Sequence, residues 1–185
     1  MTEPAILPRV TLVLGGARSG KSRHAESLIE SALAAGLYEG ATYLATAEAL
    51  DAEMAARIEA HRRRRGAAWR TVEAPLELVA ALTRHAHPAR PVLVDCLTLW
   101  LSNIMGDGRD AEAEAPALAA RLRESPGPAV VVANEVGLGI VPDNALARDF
   151  RDHAGRLNQM VAEVADRVLF VAAGLPLTIK DRDED

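Results

Sequence analysis

The chain is poor in cysteine and in aromatic residues: Cys96 stands alone, and 185 positions hold two Trp, two Tyr and two Phe. A lone cysteine excludes an internal disulfide and a thiolate cluster for structural zinc, and a reducing cytoplasm is the expected compartment. The scarcity of aromatics, offset by alanine, carries no functional reading. An excess of positive charge is also missing. With 21 Lys and Arg against 26 Asp and Glu, the net charge is -5 and the pI about 5.6. This balance speaks against a nucleic-acid partner, because such proteins neutralise many phosphates with basic side chains. No apolar run reaches membrane length, and the opening "MTEPAILPRV" lacks a basic segment followed by an apolar one. Neither a secretion signal nor a transmembrane segment is therefore expected. The length suits a single domain over residues 1–185, with residues 1–9 and 181–185 expected as frayed tails.

What is present is an alternation. Short β-rich runs, "RVTLVL", "ATYLAT", "WRTVEAP", "PVLVDCL", "PAVVVANEV" and "DRVLFVAAG", alternate with longer helical patterns. Parallel neighbours need a crossover helix between them, so the pattern predicts an α/β fold: a mostly parallel sheet flanked by helices. Runs such as "VTLVL" and "AVVVA" are apolar at nearly every position, as strands buried on both faces are. Helices are expected over 20–35, 51–65, 76–85 and 143–166. A weaker helical pattern lies in the middle of 106–128, between turn residues Gly106, Gly108, Gly127 and Pro128.

"GGARSGKS", Gly15 to Ser22, matches G-x-x-x-x-G-K-S in the setting that gives the motif meaning, after a strand and before a helix. Gly15 and Gly20 let the backbone turn so that successive N–H groups face phosphate oxygens, and the helix N-terminus adds partial positive charge. Lys21 would reach the β- and γ-phosphates, and Ser22 would hold Mg²⁺. The motif predicts a nucleoside triphosphate site. Asp95, at the end of "PVLVD", either completes the metal site or caps the helix that follows. Cys96 beside it reads as a small packed residue.

The stretch "DAEMAARIEAHRRRR" places Met54, Ile58, His61 and Arg65 on one stripe of a helix at about 100° per residue, with Arg57 one turn before the histidine. Two readings stay open. His61 is a half-buried histidine satisfied by its surroundings, with arginines that complement a helix C-terminus. Alternatively, the guanidiniums keep the imidazole neutral and bind a polyphosphate, so that its nitrogen can displace pyrophosphate from the α-phosphorus of a nucleotide.

Together, "LGGARSGKSRHAE", "YLATAEALDAEMAARIEAHRRRRG", "LVDCLTLWLSN", "NEVGLGIVPDNALARDFRDHAGRLNQ" and "GLPLTIK" resemble, in this order, the CobU/CobP family of bifunctional adenosylcobalamin biosynthesis enzymes. The resemblance runs from about Val10 to Lys180. It implies a RecA-like P-loop NTPase fold and two activities. The first is phosphorylation of adenosylcobinamide with ATP or GTP. The second is transfer of GMP from GTP, through a guanylylated histidine, onto adenosylcobinamide phosphate. The family nucleophile follows the Arg of "MAARI" by four residues, which identifies His61.

The resemblance also carries nucleotide contacts onto Gly15, Gly16, Ala17, Arg18, Ser19, Gly20, Lys21 and Ser22, onto Thr46, Ala47 and Glu48, onto Arg62, Arg63, Arg64 and Arg65, and onto Glu73 and Asp95. Catalytic roles fall to His61 and Lys21, metal contacts to Ser22 and Asp95. Glu73 by itself reads equally as an exposed strand or turn carboxylate. The loop "NEVGLGIVPDN" reads either as a tight connection or as a binding loop that brings Asn134 and Glu135 near the substrate or metal. The family forms homotrimers. Two rival readings are a P-loop kinase of another small metabolite and a nucleotide-dependent switch without catalysis.

Overall fold

A computed structural model describes residues 6–48 and 66–182. Its strands are β1 (Val10–Gly15), β2 (Ala41–Ala45), β3 (Trp69–Glu73), β4 (Val92–Asp95), β5 (Ala129–Asn134), β6 (Arg167–Ala172) and β7 (Leu175–Asp181). The helices are α1 (Lys21–Ala34), α2 (Leu78–His85), α3 (Leu97–Gly106), α4 (Ala111–Arg123) and α5 (Ala145–Val164). All seven strands form one sheet in the order β3-β2-β4-β5-β1-β6-β7. The first six are parallel, and β7 alone is antiparallel. The α/β class, with a mostly parallel sheet flanked by helices, is the one the sequence predicted.

The two-sided burial of the strands accounts for the layering. Val10 and Leu12 of β1 face one core, with Leu78, Trp100, Leu118 and Leu157 of the four helices α2 to α5. Val13 faces the other, with Ala25 and Ile29 of α1. Successive side chains of a strand point to opposite faces, so a strand buried on both must be apolar throughout. The weakly patterned region forms α4, while α3 follows β4 directly. Asp110 caps α4 by accepting from the amides of Glu112 and Ala113, with Glu112 and Glu114 in the first turn and Arg121 and Arg123 in the last. Both charge placements complement the helix dipole.

Three expectations need correcting or restricting. The strand β7 was not foreseen: "LPLTIK" contains Pro176 and exposes Leu175, Leu177 and Ile179. Proline is tolerated there because β7 lies at the sheet edge. The tails are not frayed up to the expected limits. Leu7 is buried and its amide donates to the Tyr38 hydroxyl, while Asp181 closes β7 and pairs with Arg167 at 2.6 Å. The helix expected over 51–65 lies outside the described residues.

Because β1 to β6 are parallel, their C-terminal ends share one edge of the sheet. Gly15 aligns with Asn134, and Ala45 aligns with both Glu73 and Asp95. This edge gathers every described residue to which the sequence gave a role.

Candidate active site

The phosphate loop joins β1 to α1, and its glycines answer local requirements. A Cβ on Gly15 would lie 2.5 Å from the Val171 carbonyl oxygen and 2.6 Å from Ser19 Oγ, so no larger residue fits. Gly20 has φ of 96°, in the left-handed region that disfavours a side chain, and its backbone faces Gly174. The turn is closed by the Ser19 amide donating to the Gly16 carbonyl. Among the described residues, the amides of Ala17, Arg18 and Gly20 donate to no backbone carbonyl. Exposed, unspent N–H groups at a helix N-terminus suit a bound anion.

Lys21 is 7% exposed and folds back over the loop, its Nζ donating to the Gly16 carbonyl at 2.9 Å. The ammonium thus lies at the mouth of the loop. One position further, Ser22 Oγ donates to Asp95 Oδ1 at 3.3 Å. Two oxygen donors predicted for the metal are brought together from elements 73 positions apart. Their hard-oxygen chemistry fits a divalent cation that takes its remaining ligands from phosphate and water.

The other carboxylate oxygen of Asp95 accepts from the Tyr43 hydroxyl at 2.9 Å. Tyr43 is almost fully buried in the middle of β2, with Trp69 edge-on to its ring. Sequence reading missed this residue. The available signal was a polar-tipped aromatic inside a strand buried on both faces, a residue type that normally needs a partner for its hydroxyl.

Thr46 is fully buried, and its hydroxyl is engaged twice by Cys96: it donates to the Cys96 carbonyl and accepts from the Cys96 amide, both at 2.8 Å. The Thr46 side chain therefore ties the exit of β2 to the exit of β4 and is not free for a ligand. Asn103 of α3 reinforces that tie by donating to the carbonyls of Thr46 at 2.8 Å and Pro75 at 3.1 Å. Ala47 is half-buried and Glu48 exposed at the described end of this segment. His61, Arg62, Arg63, Arg64 and Arg65 lie outside the described residues.

Glu73 is exposed at the end of β3. Two strand spacings separate it from Asp95 in register, or roughly 10 Å across the sheet. It borders a cavity of about 300 Å³ that Pro75, Glu77, Arg84 and His85 also line. Burial, then Arg70 and Arg84, lower the His85 pKa, which favours its neutral form. Burial, with Asp95 next in weight, pushes the Cys96 thiol up to about 11. A thiol so held is not a nucleophile near neutral pH, in keeping with its reading as a packed residue.

On the far side of Asp95, β5 delivers Asn134 and Glu135. The Asn134 amide donates to Thr98 Oγ1 at 2.7 Å, and its carbonyl accepts from Asn158 Nδ2 at 3.2 Å. The Glu135 amide donates to the Gly15 carbonyl at 3.1 Å, which joins this loop directly to the phosphate loop. Thr98 and Asn158 were not singled out in the sequence. Each is one polar residue in a helix whose partner becomes visible only once the strands are ordered.

A family model described as cobinamide kinase / cobinamide phosphate guanyltransferase, CobU, matches residues 11–179. The chain is 51% identical over 172 residues to the bifunctional adenosylcobalamin biosynthesis protein CobP of Pseudomonas aeruginosa, covering 91% of this chain and 96% of that protein. It is 44% identical to the bifunctional adenosylcobalamin biosynthesis protein CobU of Escherichia coli and 43% identical to that of Salmonella typhimurium. Both alignments span 184 residues and cover 91% of this chain and 98% of the relative.

Proposed function

The chain belongs to the CobU family of cobinamide kinase / cobinamide phosphate guanyltransferases, and from that premise we propose that it is a bifunctional transferase acting on adenosylcobinamide. In the first reaction the substrate hydroxyl takes the γ-phosphoryl group of ATP or GTP and releases the nucleoside diphosphate. In the second, a neutral His61 nitrogen attacks the α-phosphorus of GTP, and pyrophosphate leaves. The phosphate of adenosylcobinamide phosphate then displaces the histidine, giving adenosylcobinamide-GDP. The observation that carries the reading is the cradle itself: a buried Lys21 at the mouth of the loop, with Ser22 bonded to Asp95.

The roles follow from charge. Loop amides and Lys21 stabilise the negative charge that shifts onto the leaving phosphates. Mg²⁺, when bound, would neutralise phosphate oxygens, held by Ser22 and Asp95, with Tyr43 orienting the carboxylate. Arg62, Arg63, Arg64 and Arg65 follow His61 directly and would counter polyphosphate charge, while Thr46, Ala47, Glu48 and Glu73 would border the nucleotide.

We place the enzyme in the cytoplasm as a homotrimer, acting as one catalytic unit. Leu175, Leu177 and Ile179, spaced two apart on the edge strand, are each at least 60% exposed and offer a face for another subunit.

The test is incubation with GTP labelled at the α-phosphate. A covalent label stable to base and released by mild acid, as a phosphoramidate is, is expected from the native protein and should be absent in His61→Ala. No adduct, or an undiminished one in the variant, overturns transfer through His61.

A further inference from the structure

The kinase reaction needs a group to accept the proton of the attacking hydroxyl, and none of the roles above supplies it. The carboxylates at the C-terminal edge can be compared by position. Asp95 already accepts from Ser22 and Tyr43 through its two oxygens. Glu48 follows β2 and Glu73 ends β3, both on the side of β4 away from β1. Glu135 is different, because its own backbone is bonded to the phosphate loop.

Gly15 and Asn134 form the last aligned pair of β1 and β5, so Glu135 is the first residue past the sheet. Its amide bond to the Gly15 carbonyl sets it at the level of Gly16, whose carbonyl accepts from the Lys21 ammonium. The γ-phosphoryl group of a nucleotide seated in the loop is drawn to that ammonium. The Glu135 side chain is also fixed: Oε1 accepts from the Gly137 amide at 2.6 Å, and no other partner is present among the described residues. A Cβ at position 137 would lie 2.8 Å from Oε1, so the glycine keeps room for the carboxylate. The turn behind it is open and exposed, with Gly137, Leu138 and Gly139 all facing solvent. A large substrate can approach from there.

We propose that Glu135 is the general base of the phosphorylation reaction. Its carboxylate takes the hydroxyl proton as the oxygen–phosphorus bond forms. The bond from the γ-phosphorus to the bridging oxygen breaks, and the nucleoside diphosphate leaves with the electron pair. Nucleotide transfer proceeds from an already ionised phosphate and has no such proton to remove, so Glu135 serves one of the two reactions. The inference rests on the bifunctional reading above.

The test measures both activities in Glu135→Gln: phosphorylation of adenosylcobinamide with γ-labelled ATP, and GMP transfer to separately prepared adenosylcobinamide phosphate. The expected result is a fall in kinase kcat of about 100-fold, within the range for loss of a general base, with KM for ATP and the GMP transfer rate little changed. Gly137→Ala, which crowds Oε1, should show a smaller loss confined to the same reaction. Kinase kcat within threefold of native, or equal loss of both activities, overturns the assignment. A native enzyme that transfers GMP but does not phosphorylate adenosylcobinamide would instead overturn the bifunctional reading, and the assignment with it.

Discussion

The strands β1 and β7 are both rich in apolar residues, yet they have opposite fates. β1 lies at the centre, between β5 and β6, and buries Val10, Leu12 and Val13 completely. β7 lies at the rim and exposes Leu175, Leu177 and Ile179. The centre has used its apolar surface for folding, and substitutions there act on the chain itself. The rim has not, so substitutions there should act on what the rim meets.

The largest effect that would test this contrast is expected from Gly15→Ala. The added methyl meets the Val171 carbonyl and Ser19, and displacing them costs about 1–3 kcal/mol, as overpacking does. Thermal unfolding should occur at a lower temperature, and calorimetry should show nucleotide binding lost.

Tyr43→Phe is milder: it removes one hydrogen bond to Asp95 without changing the packed ring. The Mg²⁺ concentration for half-maximal activity should rise about tenfold, the size typical of losing a partner that orients a metal ligand. Unchanged Mg²⁺ dependence would mean that the tyrosine serves packing alone.

A smaller effect is expected from pH. Burial lowers the pKa of His24 below its ordinary 6.5, and His85 shifts the same way. The unfolded chain then binds more protons than the folded one. This contribution is present above the unfolded value and is lost as pH falls below it. The midpoint of thermal unfolding should drop between about pH 7.5 and 5.5, and the drop should lessen in His24→Gln.

The smallest change in chain stability is expected at the rim. Leu177→Asp should alter it by less than about 0.5 kcal/mol, as surface substitutions do. The same change should shift sedimentation toward a single chain. Sedimentation unaffected by it would overturn the proposal that this face meets another subunit.

The centre was legible in the sequence for the same reason that it is sensitive. Strands buried on both faces read as unbroken apolar runs, and the phosphate loop is a contiguous motif whose glycines have local causes. The rim was not legible, because an edge strand with proline and outward-facing leucines breaks both patterns that strands usually follow. The supports of the site were hidden for a different reason. Tyr43, Thr98, Asn103 and Asn158 bond to groups between 24 and 57 positions away, so their roles depend on which strands become neighbours. Thr46 shows the limit from the other side: the position was singled out, but the hydroxyl proved to be committed to Cys96.

One bond near the rim bears on the order of synthesis. The amide of Gly174, in the turn between β6 and β7, donates to the Ser19 carbonyl at 2.8 Å. The G-x-x-x-x-G-K-S loop is therefore braced by a turn that is made only after β6. While the ribosome is still short of β6, one side of β1 has no neighbour and the loop lacks this brace. The growing chain should complete the loop's support only once β6 and the turn after it have emerged.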